Sequence, residues 1–371
     1  MRIRILVLTV LLASAVDADL LLWPGVPSRP AAEPIIVLHD RPEMALEDEP
    51  ASFAETIRAA LAAKRYDELE ALAAELRDPD RRFRGGTSQI TRFYEIVAEY
   101  RTIPNETGCN EDRDPASFDD KRAQLEAWHE AMPDGPTAVV ALLRLWVNAG
   151  IGSRGCGYAK DVNDEHWPKM RADFAKAQTY MAELDLDEDP VAYVEAINMG
   201  MFAGWGRRPV KALYEKAIKT FPTYYPLYAQ HAMLLTQSWS GRSAELRYYL
   251  DGLRAPERGA DGQIAFAFAA FRLIHDYAQP DSTDSDGLPF PAIVAAYQAR
   301  EQRYGLRPHD WKALFYFSLR AGMCEIGHQA VQHMGTDWDS TIWSRREDFD
   351  KDIAWYKDNT PYRRDVALLG G

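Results

Sequence analysis

Val210-Lys211-Ala212-Leu213-Tyr214-Glu215-Lys216-Ala217-Ile218-Lys219-Thr220-Phe221-Pro222 is the stretch whose reading decides the fold. A large aromatic at Tyr214, a small residue one turn on at Ala217 and a terminating proline at Pro222 are packing marks of the second helix of a tetratricopeptide unit. The marks recur: Met199 and Met233, Tyr214 and Tyr248, and Pro222 and Pro256 each lie about 34 residues apart, the period of that unit. Upstream, Pro190 sits at a first-turn position and opens a helix expected to run to about Ala203. Gly204-Trp205-Gly206 then makes the turn, and a second helix is expected from Pro209 to Phe221. The next unit begins at Tyr225, turns near Trp239 and Gly241, and closes at Pro256. Asp251 stands where a small residue is expected, which predicts looser packing there.

Working outward, helical periodicity runs almost unbroken from Ser52. Phe53, Ile57 and Leu61, then Leu69, Leu72 and Leu76, recur at helical spacing around an Arg65-Tyr66-Asp67 turn. Further helices are expected at 88–101, 118–131, 136–149, 168–184, 290–304, 309–321, 323–334 and 340–356, with no stretch of persistent strand alternation. The fold class predicted is all-α, an α-solenoid of antiparallel helical hairpins over residues 51–360, followed by a short tail at 361–371.

The first residues read as an export signal over 1–18. Arg2 and Arg4 form a positive start, Ile5 to Val16 an apolar run, and Ala13-Ser14-Ala15 or Val16-Asp17-Ala18 a cleavage-compatible site. The alternative is an uncleaved N-terminal anchor continuing through Leu20-Leu21-Leu22-Trp23. That span would enclose Asp17 and Asp19 at about 2.5–3.5 kcal/mol each near its centre. Either way the chain is expected to be exported, periplasmic or extracellular. Residues 19–50 form a Pro-rich linker, with six prolines from Pro24 to Pro50. An oxidising compartment allows Cys109 and Cys156, both in Gly-containing loops, to form a disulfide; the alternative is three unrelated thiols, with Cys324 a small apolar residue within a helix.

A formal net charge of −13 excludes a general affinity for nucleic acid or anionic membranes, since a phosphate-binding chain carries a basic stripe. Here the basic residues form only short clusters such as Arg207-Arg208 and Arg345-Arg346. A membrane contact is expected only through an uncleaved anchor.

The stretch Tyr224-Tyr225-Pro226-Leu227-Tyr228 through Ala232, Leu235 and Trp239-Ser240-Gly241, preceded by Tyr214-Glu215-Lys216-Ala217, resembles the bacterial domain-of-unknown-function 4034 family. Arg65-Tyr66-Asp67-Glu68-Leu69 and Arg82-Phe83-Arg84-Gly85-Gly86 are similar to its N-terminal portion, so the likeness spans roughly residues 53–255. It implies a helical-repeat fold and carries over no catalytic residue.

Motifs for chemistry are sparse. The sequence holds no His-Glu-x-x-His, no Gly-x-Ser-x-Gly and no phosphate-cradling glycine loop. The loop Asp281 to Gly287 partly echoes a calcium loop, but its twelfth place is Ile293 where a bidentate glutamate is needed, so a solvated connector is expected. Glu325 and His328 have the spacing used in di-iron bundles without the second motif; His328 and His333 do not share a helix face, and His231 reads as a core histidine. Trp205 with Arg207, or Trp239 with Glu245, would suit a sugar cleft or, more simply, core packing. No cofactor or metal is expected. The two repeat units project equivalent positions toward a concave side: Glu195, Met199 and Phe202 from one, Ala229, Met233 and Thr236 from the next. Methionine suits adaptable apolar recognition, so the leading expectation is a scaffold binding a protein or peptide in its groove. The competing expectation is a cell-envelope hydrolase or lyase using groove carboxylates.

Overall fold

A computed structural model describes residues 48–104, 111–155, 159–239, 241–274 and 288–359, all within the compact unit Ile36–Gly371. Among them are fifteen helices. They are α1 Ala51–Ala62, α2 Tyr66–Leu76, α3 Gln89–Val97, α4 Pro115–Ala131, α5 Pro136–Arg154, α6 His166–Met181, α7 Pro190–Phe202 and α8 Arg207–Thr220. They continue as α9 Pro226–Leu234, α10 Ser243–Leu253, α11 Gly259–Arg272, α12 Phe290–Tyr304, α13 Pro308–Ala321, α14 Cys324–His333 and α15 Arg346–Asn359. One departure from the all-helical expectation is a short antiparallel hairpin, β1 Thr102–Pro104 with β2 Glu111–Arg113. Segments 1–18 and 361–371, Cys109, Cys156 and the aspartate loop 281–287 lie outside the described residues.

The fold is an α-solenoid. Helices pair in sequence, α5 with α6, α7 with α8, and α9 with α10, while α5, α7, α9 and α11 pack successively side by side as an inner layer. The helix faces explain this division. In α8 only Val210, Tyr214 and Ala217 are buried, one narrow stripe, so α8 is an outer helix. Helix α7 buries nearly its whole circumference, from Pro190 to Met201, and therefore must be covered on both sides. Its outer side meets α8; its other side meets α3, which lies across both α5 and α7. Close approach between layers needs glycine: a Cβ at Gly150 of α5 would lie 2.4 Å from the Phe174 ring of α6, and one at Gly200 would lie 2.8 Å from Trp205.

Helix limits follow local chemistry. Asp189 caps α7 by accepting from the Val191 amide at 2.8 Å, with Pro190 in the first turn as expected. Helix α8 begins at Arg207, so Pro209 occupies its first turn and not its first residue. The internal repeat slips by one residue. Tyr214 is buried, but its expected counterpart Tyr248 is 45% exposed. Tyr249 takes the inward place instead, with its hydroxyl 3.1 Å from that of Tyr214 and donating to Tyr228 O at 3.0 Å. The helix starts repeat at more than 34 residues: Pro190 and Pro226, and Arg207 and Ser243, are each 36 apart.

Candidate functional site

The concave positions read from the repeat do not form an open groove. Met199 has no exposed surface, Glu195 is 1% exposed, and Ala229, Met233 and Thr236 are buried. Only Phe202 is half-buried, edge-on to Trp239 at 4.7 Å. A side chain without exposed surface cannot contact a partner in this conformation, so the two methionines act in the core. Helix α7 is covered by α3 as well as by α8, and α9, which carries Met233, is packed against α7, α8, α10 and α11.

Glu195 nevertheless belongs to a polar chain that crosses the inner layer. From α5, the Arg144 guanidinium donates to Glu195 Oε1 at 2.6 Å and lies 3.8 Å from Glu95 Oε1 on α3. One turn beyond Glu195 on α7, Asn198 accepts from the Gln230 side-chain amide of α9. Four helices thus bring Glu95, Arg144, Glu195, Asn198 and Gln230 into one line. Burial raises the Glu195 pKa above the ordinary glutamate value; Arg144 and Asn198 oppose this, and the negative Glu95 adds to it.

The line is incompletely satisfied. Arg144 Nε and Gln230 Oε1 are shielded from solvent without a hydrogen-bond partner in the chain, while the Glu195 carboxylate is held by both Arg144 and Asn198. Leaving such an atom unpaired costs on the order of 1–3 kcal/mol, and more when charged. Access exists at one end: the Glu95 side chain is 38% exposed and that of Arg144 17%, while Asn198 and Gln230 are half-buried.

An adjacent network shows the contrast. Asp189 Oδ2 accepts from Arg77 Nε and from the Tyr94 hydroxyl, both at 2.7 Å, while Arg77 also donates to Thr137 at 3.0 Å. This set ties α2, α3, α5 and α7 together with the Asp189 carboxylate fully used, and it is structural. As for acid–base chemistry, Glu95 and Glu195 do flank one site. But Glu195 is buried and paired with Arg144, so it faces no external substrate in this conformation.

Other sequence candidates resolve into packing. His231 stacks flat on Tyr214 at 3.8 Å and meets Tyr249 at 4.9 Å. Burial lowers its pKa to about 3, helped by the charges of Lys211 and Arg207, so the ring is neutral. His328 contacts the Tyr356 hydroxyl at 2.5 Å, and Cys324 is half-buried with a free thiol. Arg207 pairs with Glu245 at 2.7 Å, both side chains being partly exposed. Among the described residues no cluster of histidine, cysteine and carboxylate side chains is placed to hold a metal, and no helix is long and apolar enough to cross a membrane. Comparison with family models, curated proteins and solved structures found no match to this chain.

Sequence reading reached only Glu195 of the polar line. A signal for its partner was present: Arg144 and Glu195 are each the one charge in a largely apolar stretch, 136–152 and 190–202. Two opposite lone charges in buried helices read as a pair.

Proposed function

We propose that the chain is an exported helical-repeat scaffold that binds a protein or peptide partner along its inner layer, without covalent chemistry or a required cofactor. The observation that supports this reading is the polar line on α3, α5, α7 and α9. Its accessible members, the exposed Glu95 with the partly exposed Arg144, Asn198 and Gln230, offer carboxylate, guanidinium and amide groups that a partner's main-chain N–H and C=O groups can meet by direction and not by apolar area. Export rests on the arrangement of the first 18 residues, and membership of the domain-of-unknown-function 4034 family rests on the quoted packing motifs; both are part of the proposal.

The test is photo-crosslinking in the producing cell. A photoreactive residue at Asn198 faces the line, and one at exposed Lys211 on the outer helix α8 serves as control. The expected outcome is a discrete adduct from position 198 that is missing from position 211 and is lost when Gln230→Leu is added. Identical adducts from both positions would contradict the reading.

A further inference from the structure

The loop Arg81 to Gln89 is held by parts of the chain far away in sequence. It is closed on itself by Gln89 N donating to Arg81 O at 2.9 Å and Phe83 N to Thr87 O at 2.9 Å. Arg82 is 5% exposed, and its guanidinium lies 4.8 Å from the centre of the Tyr225 ring and 5.5 Å from that of Tyr304. It donates to Thr223 O at 2.7 Å, and within the loop to Gly86 O at 2.9 Å. The start of α9 and the end of α12 thus form an aromatic slot for one arginine.

The main chain is read as well. Gly85 N donates to Gly305 O at 2.9 Å, and Arg300 Nε donates to Gly85 O at 2.6 Å. Arg300 is itself fixed by Asp310 at 2.8 Å. Gly85 and Gly86 have φ of +79° and +77°, a conformation that side chains rarely adopt. There is no room either: a Cβ on Gly85 would lie 2.4 Å from Asp310 Oδ2, and one on Gly86 2.6 Å from the Tyr304 ring. The slot therefore demands arginine, two intervening residues and two glycines. The described contacts between loop and slot are hydrogen bonds, arginine–ring contacts and the close approach of Gly86 to the Tyr304 ring; Phe83, the loop's large apolar residue, is buried and packs on Phe53 at 5.1 Å.

We infer that the slot between α9 and α12 is a recognition site for partner segments carrying Arg-x-x-Gly-Gly, and that residues 82–86 occupy it in cis until such a segment displaces them. The site uses different residues from the polar line and stands even if that line binds nothing. In the test, full-length Arg82→Ala chain is titrated with a labelled synthetic peptide of residues 80–89, read by fluorescence polarisation. Saturable binding is expected, weakened at least about tenfold for peptides carrying Arg82→Ala or Gly86→Ala. Absence of binding to the folded variant, or equal binding of all three peptides, overturns the inference. Hydrogen exchange on the unaltered chain provides a second arm that does not depend on the variant's folding. The Gly85 and Gly86 amides are expected to exchange at least about tenfold faster than that of Leu142 in α5. Exchange of all three at one rate would mean the loop leaves only on global unfolding, and would overturn it as well.

Discussion

Asp189→Ala is expected to destabilise the fold by about 3–5 kcal/mol, the cost of stranding a charge in the interior. The carboxylate is 1% exposed and does three things at once. It neutralises Arg77, whose side chain is only 17% exposed; it accepts from the wholly buried Tyr94; and it caps α7 through the Val191 amide. Its removal leaves the Arg77 charge with Tyr94 and Thr137 as neutral partners and opens the first turn of a central inner helix. Asp189→Asn keeps the cap and a neutral acceptor, and its loss is expected to be smaller. Asp350, on α15 and exposed, pairs with Arg346 at 3.0 Å in solvent. Asp350→Ala is expected to leave the urea midpoint almost unchanged, because exposed pairs gain little over water. Urea denaturation of the three variants checks this. Equal midpoints for Asp189→Ala and Asp350→Ala would show that the network does not hold the inner layer.

The second large effect is on pH. His231 titrates at about 3 in the folded chain and near 6.5 when unfolded. Below about pH 6.5 the unfolded chain takes up a proton that the folded chain cannot, so this residue's contribution is complete above that pH. It is lost as pH falls toward 3, by about 1.4 kcal/mol per pH unit at most. Glu195 acts in the opposite sense: its raised pKa means that protonation favours the folded state as pH falls through its range. His231→Phe keeps the stack on Tyr214 and removes the unpartnered Nδ1. That variant is expected to flatten the stability profile between pH 6.5 and 5, a window above the ordinary carboxylate range. Denaturation midpoints across those pH values provide the measurement, and an unchanged slope in the variant would assign the pH dependence elsewhere.

The repeat signal was local, and what it described was local. Tyr214, Ala217 and Pro222 marked an outer helix, Asp189-Pro190 and Gly204-Trp205-Gly206 marked the ends of α7, and all are where the spacing placed them. Tyr248 failed as the partner of Tyr214 because the helix starts repeat at 36 residues and not 34, which brings Tyr249 to the inward face. The concave assignment of Met199 and Met233 failed for a different reason. Whether an inner helix faces solvent depends on what lies across it, and α3 reaches α7 from about a hundred residues upstream. Gly85 and Arg300 meet across a separation of 215 residues. Contacts of that kind leave no periodicity to read. The polar line shares this character, since Glu95, Arg144, Glu195 and Gln230 come from four helices. Only the oddity of charge within apolar helices betrays two of them.

The measurement that bears most directly on the central claim is a random-peptide display selection on the immobilised full-length chain, run in parallel on an Arg144→Met, Gln230→Leu double variant matched for thermal stability. Recognition along the polar line predicts peptides enriched on the unaltered chain that are not enriched on the variant. Enrichment of the same peptides on both, or of none on either, would contradict it.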